Sequence, residues 1–372
     1  MKILINGSPL LKYNLLPCLE AAGHHTIEHP DEHADLILGL NELEISAHQS
    51  FNSKIPMAIW FTDTHKFQSE NAPDFLKENS FMFCFSEAQQ LWFSKAGWQH
   101  SFYLPLAVNS TLFKPLQKTK DISFMGELRH MTADSPMVQL LHPLRLKANP
   151  STPFGNELQS FFKVIHNFLE KSSQVLNPIK KEELYDDFCN SCPVTFHKYI
   201  NLFDASQWQA ALFENHNALL RASVCRLFEN ELEINGTYED WSTLGDWPKH
   251  LKKRASYPQE WSRLCGSSNI SLNLFRPDPM HGIPLKAFEI ASCSLLFTNE
   301  HPMLKKVFTP DVDCISFQSL KEARSKYHWL KNNPEKILEI SQASRSLMLK
   351  GHQYTHRWQT IEESLRDAGL ID

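Results

Sequence analysis

The feature that most constrains the fold is an alternation of short apolar runs with helical segments. In the amino-terminal half the apolar runs are rich in β-branched and aromatic side chains and contain few polar residues. Such continuous apolar strands are typical of a parallel sheet that helices cover on both faces. The predicted strands are Lys2–Asn6, Thr26–His29, Ala34–Gly39, Met57–Phe61 and Phe81–Phe85.

The same pattern starts again after a polar linker at Leu116 to Lys120. Asp121–Met125, closed by Gly126, predicts the first strand of a second α/β lobe. The further strands predicted for this lobe are Glu231–Asn235, Asn269–Phe275, Ser294–Thr298 and Cys314–Phe317.

Between these strands, about residues 130–205 show helical periodicity and no strand signals, which predicts a helical insertion. We therefore expect an α/β protein with an amino-terminal lobe at 1–117 and a carboxyl-terminal lobe at 118–352. A last helix, within 353–372, has its apolar residues at helical spacing and is expected to return to the first lobe.

Composition excludes several classes of function. Lys and Arg total 37 against 42 for Asp and Glu, so no positive field favours nucleic acid. No apolar run approaches the roughly 18 residues of a membrane span, and Met1 to Ser8 lacks the shape of a signal peptide, so we expect a cytoplasmic protein. The 12 Gly residues include no dinucleotide or P-loop pattern.

The cysteines do not predict a metal site. Eight Cys residues without a secretion signal are typical of reduced thiols. Cys189 and Cys192 form a CxxC with His197 downstream, but a structural zinc site needs a fourth ligand, and none stands at a matching spacing. We expect no metal and no other cofactor.

Two polar side chains follow a predicted strand of the first lobe. In open parallel sheets ligands bind outside the carboxyl ends of the strands, and Asp63 and His65 come just after Phe61. A carboxylate or an imidazole there suits the role of a general base towards a hydroxyl. The alternative is that Asp63 caps the turn and His65 is solvated. Gly7 and Ser8 mark another strand end.

The segment richest in candidate functional side chains lies between Asn273 and Glu289. A strand leads to a turn at Arg276 to Gly282, and a helix is predicted to begin near Ile283 or Pro284. A helix amino terminus preceded by Gly is suited to bind an anion, and Arg276 and Lys286 add positive charge. Glu289 lies where it could accept hydrogen bonds from a diol, so a nucleoside diphosphate fits. The alternative is that Arg276 and Glu289 pair with each other or with the other lobe.

The carboxyl-terminal half resembles the donor-binding lobe of GT-B glycosyltransferases, specifically the spore-maturation (CgeB-like) group. The resemblance covers about residues 100–128 and 230–360. The segments that carry it are Tyr103 to Asn109 with Phe113-Lys114-Pro115, Asp121 to Gly126, Ser268 to Pro277, Pro284 to Cys293, Phe297 to Pro302 with Phe308, Ser319-Leu320, and Tyr354 to Arg357.

The resemblance implies two Rossmann-like lobes facing across a cleft, with the acceptor bound by the amino-terminal lobe and the nucleotide-sugar by the carboxyl-terminal lobe. It implies a metal-independent transfer from a nucleotide-sugar to the hydroxyl of an unknown carbohydrate, lipid-linked or protein acceptor. Glu289 would hold the ribose hydroxyls, and Gly282 with the helix start would hold the pyrophosphate. The residues implied to line the donor site are Asn273, Arg276, His281, Gly282, Ile283, Lys286 and Glu289, and those implied for the cleft are Gly7, Ser8 and Gly126.

Two residues depart from the pattern of the wider fold. His281 stands where retaining members carry a glutamate that contacts the donor sugar, and Ser294 replaces a usual Gly. An inverting enzyme would need a base from the amino-terminal lobe, for which Asp63 and His65 are the candidates. The alternative functions are a non-catalytic sugar-nucleotide sensor or partner-binding subunit and, more remotely, a sugar-nucleotide epimerase.

Overall fold

The structure is a computed structural model that describes residues 1–7, 9–27, 34–40, 55–63, 74–128, 135–228, 230–244 and 251–371. The described residues group into two compact units. The first comprises Met1–Lys114, Met280–Ser292 and Ala343–Asp372, and the second comprises Pro115–Pro279 and Cys293–Gln342.

The first unit contains a six-stranded parallel sheet in the order β2-β1-β3-β4-β5-β6. Every residue of its strands β3, β4 and β5 is buried, as expected where helices cover both faces of a parallel sheet. The strands are β1 (Lys2–Gly7), β2 (His25–Ile27), β3 (Leu36–Leu40), β4 (Met57–Trp60), β5 (Ser80–Cys84) and β6 (His100–Tyr103). The helices before the linker are α1 (Pro9–Ala21), α2 (Asp74–Asn79) and α3 (Glu87–Lys95).

The second unit contains another six-stranded parallel sheet, in the order β12-β11-β10-β7-β8-β9. Its strands are β7 (Lys120–Met125), β8 (Leu232–Asn235), β9 (Leu251–Lys252), β10 (Ser268–Asn273), β11 (Leu295–Asn299) and β12 (Ile315–Phe317). The predicted α/β class with two parallel sheets is confirmed.

The described part of the insertion is helical, as predicted. Its helices are α4 (Pro136–Arg145), α5 (Pro153–Ser172), α6 (Lys181–Ser191) and the short α7 (His197–Ile200). They share a core with the first half of α8 (Ala205–Arg226), and this core includes Phe161, Phe188 and Trp208. The His197 Nε2 atom lies 3.1 Å from the Cys192 carbonyl oxygen, and the described residues contain no cluster suited to a metal ion.

In the part of the chain that the structure describes, six α-helices follow the insertion and α8. They are α9 (Tyr238–Trp241), α10 (Gln259–Ser267), α11 (Leu285–Cys293), α12 (Leu320–Asn332), α13 (Pro334–Gly351) and α14 (Tyr354–Asp367). Among the described residues, no helix is both long enough and apolar enough to cross a membrane.

Helix α14 lies in the first unit, and a buried guanidinium fixes its start. Arg357 is 5% exposed and donates hydrogen bonds to the carbonyls of Pro105, Leu106 and Gly351 at 2.7 to 3.2 Å. Burial lowers the pKa of Arg357 to about 10. Further along the helix, Trp358 packs edge-on against His24, with ring centroids 5.2 Å apart. The last helix is therefore an integral part of the first unit.

Candidate functional site

The second sheet has a topological switch point between β7 and β10. Strand β7 pairs with β8 on one side and with β10 on the other, so the chain order reverses at this point. Ligands of open α/β sheets bind outside the carboxyl ends of the strands at such a point. Gly126 directly follows β7, Asn273 ends β10, and Arg276 lies in the turn beyond. The sequence had singled out all three.

The ends of β7 and β8 are joined by close backbone packing. Gly126 donates its N–H to the Asn235 carbonyl at 3.1 Å and accepts a hydrogen bond from Trp241 Nε1 at 3.0 Å. A Cβ atom on Gly236 would lie 2.2 Å from the same Nε1. Only glycine fits at position 236, because the backbone there packs closely against Trp241 and the end of β7, beside the switch point.

Glu127 connects three strand ends, and sequence reasoning missed it. Its carboxylate accepts hydrogen bonds from the Thr237 backbone N–H at 3.0 Å and from the Thr237 hydroxyl at 2.8 Å. Arg254, just after β9, lies 3.8 Å from the same carboxylate. The available signal was its position next to Gly126, directly after a predicted strand.

Helix α8 presents a polar stripe to the strand ends. Glu214, Asn217 and Arg221 lie three and four residues apart and therefore share one face. Arg221 Nη1 donates to the Glu127 carbonyl at 2.7 Å, and Glu214 forms an ion pair with Arg276. Sequence analysis had assigned these residues no role.

Arg276 is held in place from two sides. Besides the Glu214 carboxylate, its guanidinium carbon lies 6.0 Å from the centroid of the Phe213 ring, within the range of a cation–π contact. The side chains of Arg276 and Glu214 are 31% and 25% exposed, so solvent reaches the pair. Arg276 thus places a positive charge at the switch point, with Glu214 fixing its position.

Two asparagines tie the ends of β10 and β11 together. Asn273 is 4% exposed, and its Nδ2 donates to the Thr298 hydroxyl at 3.3 Å. Asn299 Oδ1 accepts the Phe275 N–H at 2.8 Å. The hydrogen bond from Asn273 to Thr298 thus helps to hold the end of β10, from which the next turn starts.

In the first unit, Gly282 lies against the end of β5. A Cβ atom at this position would be 2.4 Å from both the Phe85 carbonyl oxygen and the Phe85 ring. The His281 ring packs edge-on against the Phe85 ring, with centroids 5.2 Å apart. His281, Gly282 and Ile283 are all buried. The glycine is therefore required by close packing.

Helix α11 begins at Leu285. This start lies close to Ile283 and Pro284, where it was expected: Pro284 comes just before the helix, and its carbonyl accepts the Ala287 N–H in a tight first turn. Lys286 is half-buried in this first turn. The positive charge of Lys286 therefore lies close along the chain to the N–H groups at the start of α11.

Glu289 lies one turn into α11 and is 1% exposed. Its charge helps to raise the pKa of the Tyr354 phenol, for which burial is the larger cause. Tyr354 begins α14 and packs edge-on against Trp60 with centroids 5.9 Å apart. The structure therefore places the carboxylate inside the first unit, near a buried phenol that sequence reasoning had not considered.

The amino-terminal candidates have different outcomes. Asp63 follows β4, is exposed, and accepts a hydrogen bond through its backbone carbonyl from Gln89 Nε2 at 3.2 Å. Gly7 ends β1, as expected. Ser8 and His65 lie outside the described residues.

Comparison with known proteins links these features to one class. Residues 214–363, less than half of the chain, match a family described as glycosyl transferase-like. The matched part starts at Glu214 and contains the switch-point strand β10, helix α11 and most of α14. No curated protein matches the chain.

Solved structures share the fold at low sequence identity. The Anabaena protein HepE in complex with UDP-glucose aligns with 99% of this chain and 100% of its own, at 12% identity and a TM-score of 0.51. T4 phage BGT in complex with UDP-glucose has a TM-score of 0.49, with 12% identity over 100% of both chains. Sucrose-phosphate synthase of Thermosynechococcus elongatus has a TM-score of 0.47 and 10% identity, over 99% of this chain and 98% of its own.

The chain has the fold of GT-B glycosyltransferases, and its residues 214–363 are similar to the glycosyl transferase-like family.

Proposed function

We propose that the protein transfers a sugar from a nucleotide-sugar donor to an acceptor hydroxyl without a metal ion. The observation that carries the proposal is that the family match includes strand β10, which forms one side of the switch point of the second sheet, and helix α11. The HepE structure of the same fold holds UDP-glucose, which makes uridine diphosphate sugars the first donors to test.

Helix α11 is the proposed site for the donor diphosphate. The amino terminus of a helix attracts anions through its N–H groups and its dipole. Lys286 adds a positive charge in the first turn of α11. These groups would stabilise the charge that develops on the leaving diphosphate.

Glu289 is the proposed ribose ligand. A buried carboxylate accepts hydrogen bonds from hydroxyl groups more strongly than a neutral group does. The pKa of Tyr354 stays raised while the Glu289 charge is nearby, so the phenol remains a neutral neighbour.

Asp63 or His65 is the proposed general base towards the acceptor. Asp63 is exposed at a strand end, which gives its carboxylate access to a substrate. His281, in place of a donor-site glutamate, favours inversion of configuration. We further propose that the protein is of the spore-maturation (CgeB-like) type and acts in the cytoplasm, on an acceptor that is a carbohydrate, a lipid-linked sugar or a protein.

The donor assignment is tested by calorimetry with UDP-glucose, followed by the GDP, ADP, CDP and dTDP sugars. Glu289→Gln keeps the side-chain shape and removes the charge, and it should weaken binding by about 1 to 3 kcal/mol, or roughly 5- to 150-fold. Glu363→Gln, at an exposed position of α14, is the matched control and should bind like the parent. Equal affinity of Glu289→Gln and the parent would refute the ribose assignment.

The base assignment is tested by turnover. Asp63→Asn and His65→Ala should leave donor affinity nearly unchanged, while loss of the base lowers turnover by roughly 100-fold or more. If both variants turn over like the parent, neither residue is the base. A parent protein that binds donor but neither hydrolyses nor transfers it would be a sugar-nucleotide sensor.

A further inference from the structure

Strands β4 and β5 of the first unit end side by side, and helix α3 starts just beyond them. The two strands pair in parallel with Trp60 opposite Phe83, and the Phe61 N–H donates to the Phe83 carbonyl at 2.8 Å. Counted on in the same register, Asp63 lies level with Ser86, the residue that caps α3. The start of α3 is therefore a neighbour of the turn that carries Asp63.

One face of α3 contacts the main chain that leads into this turn. Gln89 and Phe93 are four residues apart on the helix, so their side chains share a face. The Phe93 ring stacks on the Phe61 ring, with centroids 5.0 Å apart and planes 27° from parallel. Two residues beyond Phe61, the Asp63 carbonyl accepts a hydrogen bond from Gln89 Nε2 at 3.2 Å. The helix therefore holds the end of β4 at two successive points.

The cap of the helix fixes Gln89 itself. Ser86 is fully buried, and its Oγ accepts the Gln89 backbone N–H at 3.2 Å. The Gln89 residue is 7% exposed, so its side chain is enclosed by protein. The amide that meets the Asp63 carbonyl therefore has little freedom to move.

Packing alone does not explain an amide at this position. Gln89 Oε1 is buried and has no hydrogen-bond partner among the residues that the structure describes. A buried acceptor without a donor costs free energy, whereas an unbranched apolar side chain such as methionine fills similar space without that cost. The group that methionine lacks is the amide N–H that binds the Asp63 carbonyl.

We propose that Gln89 is a positioning residue that holds Asp63 in place as the general base. The inference rests on the proposed transferase function, in which the Asp63 carboxylate takes the proton of the attacking hydroxyl. The Asp63 side chain is exposed, so burial does not confine it, and the place of its main chain sets where the carboxylate can reach. A base must lie within hydrogen-bond reach of its proton, and a displacement of about 1 Å can lower a rate by roughly 100-fold.

The test uses hydrolysis of UDP-glucose by the full chain, with water as the acceptor. Water attacks C1 of glucose, the bond from C1 to the diphosphate oxygen breaks, UDP leaves, and Asp63 takes the proton of the water. Gln89→Met removes the amide and keeps the length of the side chain. It should lower the rate of UDP release by about tenfold or more, while the affinity for UDP-glucose, measured by calorimetry, stays that of the parent.

Gln90→Met is the matched control. Gln90 is the next residue of α3, and its Nε2 also donates to a main-chain carbonyl, that of Ser101 at 3.1 Å. The control therefore loses an equivalent hydrogen bond to another strand, and it should release UDP like the parent. A rate for Gln89→Met equal to that of Gln90→Met would overturn the inference.

A double-mutant cycle separates positioning from a general structural effect. If Gln89 acts through Asp63, adding Gln89→Met to Asp63→Asn should cause no further loss of turnover, because the base is already absent. A variant that merely folds less well loses activity by the same factor in both backgrounds, and that result would overturn the inference.

The outcomes also separate this inference from the proposed function. If Asp63→Asn lowers turnover and Gln89→Met does not, only the positioning role is wrong. If Asp63→Asn turns over like the parent, the base assignment and the positioning role are both wrong, while donor turnover still supports a transferase. If the parent neither binds nor hydrolyses any nucleotide-sugar, the transferase function is wrong and the role of Gln89 falls with it.

Discussion

Gly282→Ala tests the close packing at the start of the 282–289 segment. The new Cβ would lie 2.4 Å from the Phe85 carbonyl oxygen, 2.4 Å from ring atom Cδ2 and 2.7 Å from Cε2. One of these atoms belongs to the backbone of a buried strand end, so a side-chain rotation cannot remove the clash. We expect a loss of about 1 to 3 kcal/mol in the free energy of unfolding, as for other overpacked cores.

Gly351→Ala is the matched control. No heavy atom lies within 4 Å of a Cβ at Gly351, which ends helix α13. Alanine is the better helix former by up to about 1 kcal/mol, so this variant should be as stable as the parent or slightly more stable.

Urea unfolding followed by tryptophan fluorescence measures both variants. Adding Phe85→Leu to Gly282→Ala removes the ring but leaves the carbonyl oxygen, so the double variant should recover only part of the lost stability. A transition midpoint for Gly282→Ala equal to that of Gly351→Ala would refute the packing argument. In that case the segment can move away from β5 without cost.

Three further predictions concern the first unit and helix α8. Arg357→Gln should lower the free energy of unfolding by about 1 to 3 kcal/mol, because buried carbonyls lose their hydrogen-bond donors. The control Arg324→Gln, at an exposed position, should leave it unchanged. Equal urea midpoints for the two variants would contradict this prediction. Burial lowers the pKa of His216 to about 4, so between about pH 4 and 6.5 the unfolded chain binds more protons than the folded one. The free energy of unfolding therefore falls as the pH falls through that window, by at most about 3 kcal/mol. In urea unfolding, His216→Gln should lose less stability than the parent between pH 7.5 and 5. Truncation before Tyr354 should lower the melting temperature measured by calorimetry, since it removes buried Trp358, and an unchanged melting profile would show that α14 is dispensable.

Most strands could be predicted because an apolar run in the local sequence indicates that a strand is buried. A strand buried on both faces needs an unbroken apolar run, and β3 and β4 are examples. Strand β9 was missed because it has only two residues, at the edge of its sheet, one of them exposed. Helix α10 was also missed, because its polar residues obscure the apolar face that carries Trp261 and Leu264.

The sequence also placed three of its candidate residues near the carboxyl end of the second sheet. Gly126 follows a predicted strand, Asn273 lies within one, and Arg276 lies in the turn beyond, and the carboxyl ends of parallel strands meet at one edge. It could not give their partners. Glu214 and Arg276 are 62 residues apart, and nothing local to either residue encodes the pair.

Only the tertiary structure decided which polar groups are buried and what they contact. Gly282 was expected at an anion site, and the fold shows that its missing side chain makes room for Phe85. Glu289 was placed correctly on its helix, but its burial near Tyr354 depends on a helix that starts 65 residues later in the chain. Periodicity fixes the face of a helix on which a residue lies, because it follows from local geometry. The partner across that face is set by long-range packing, which no local pattern contains.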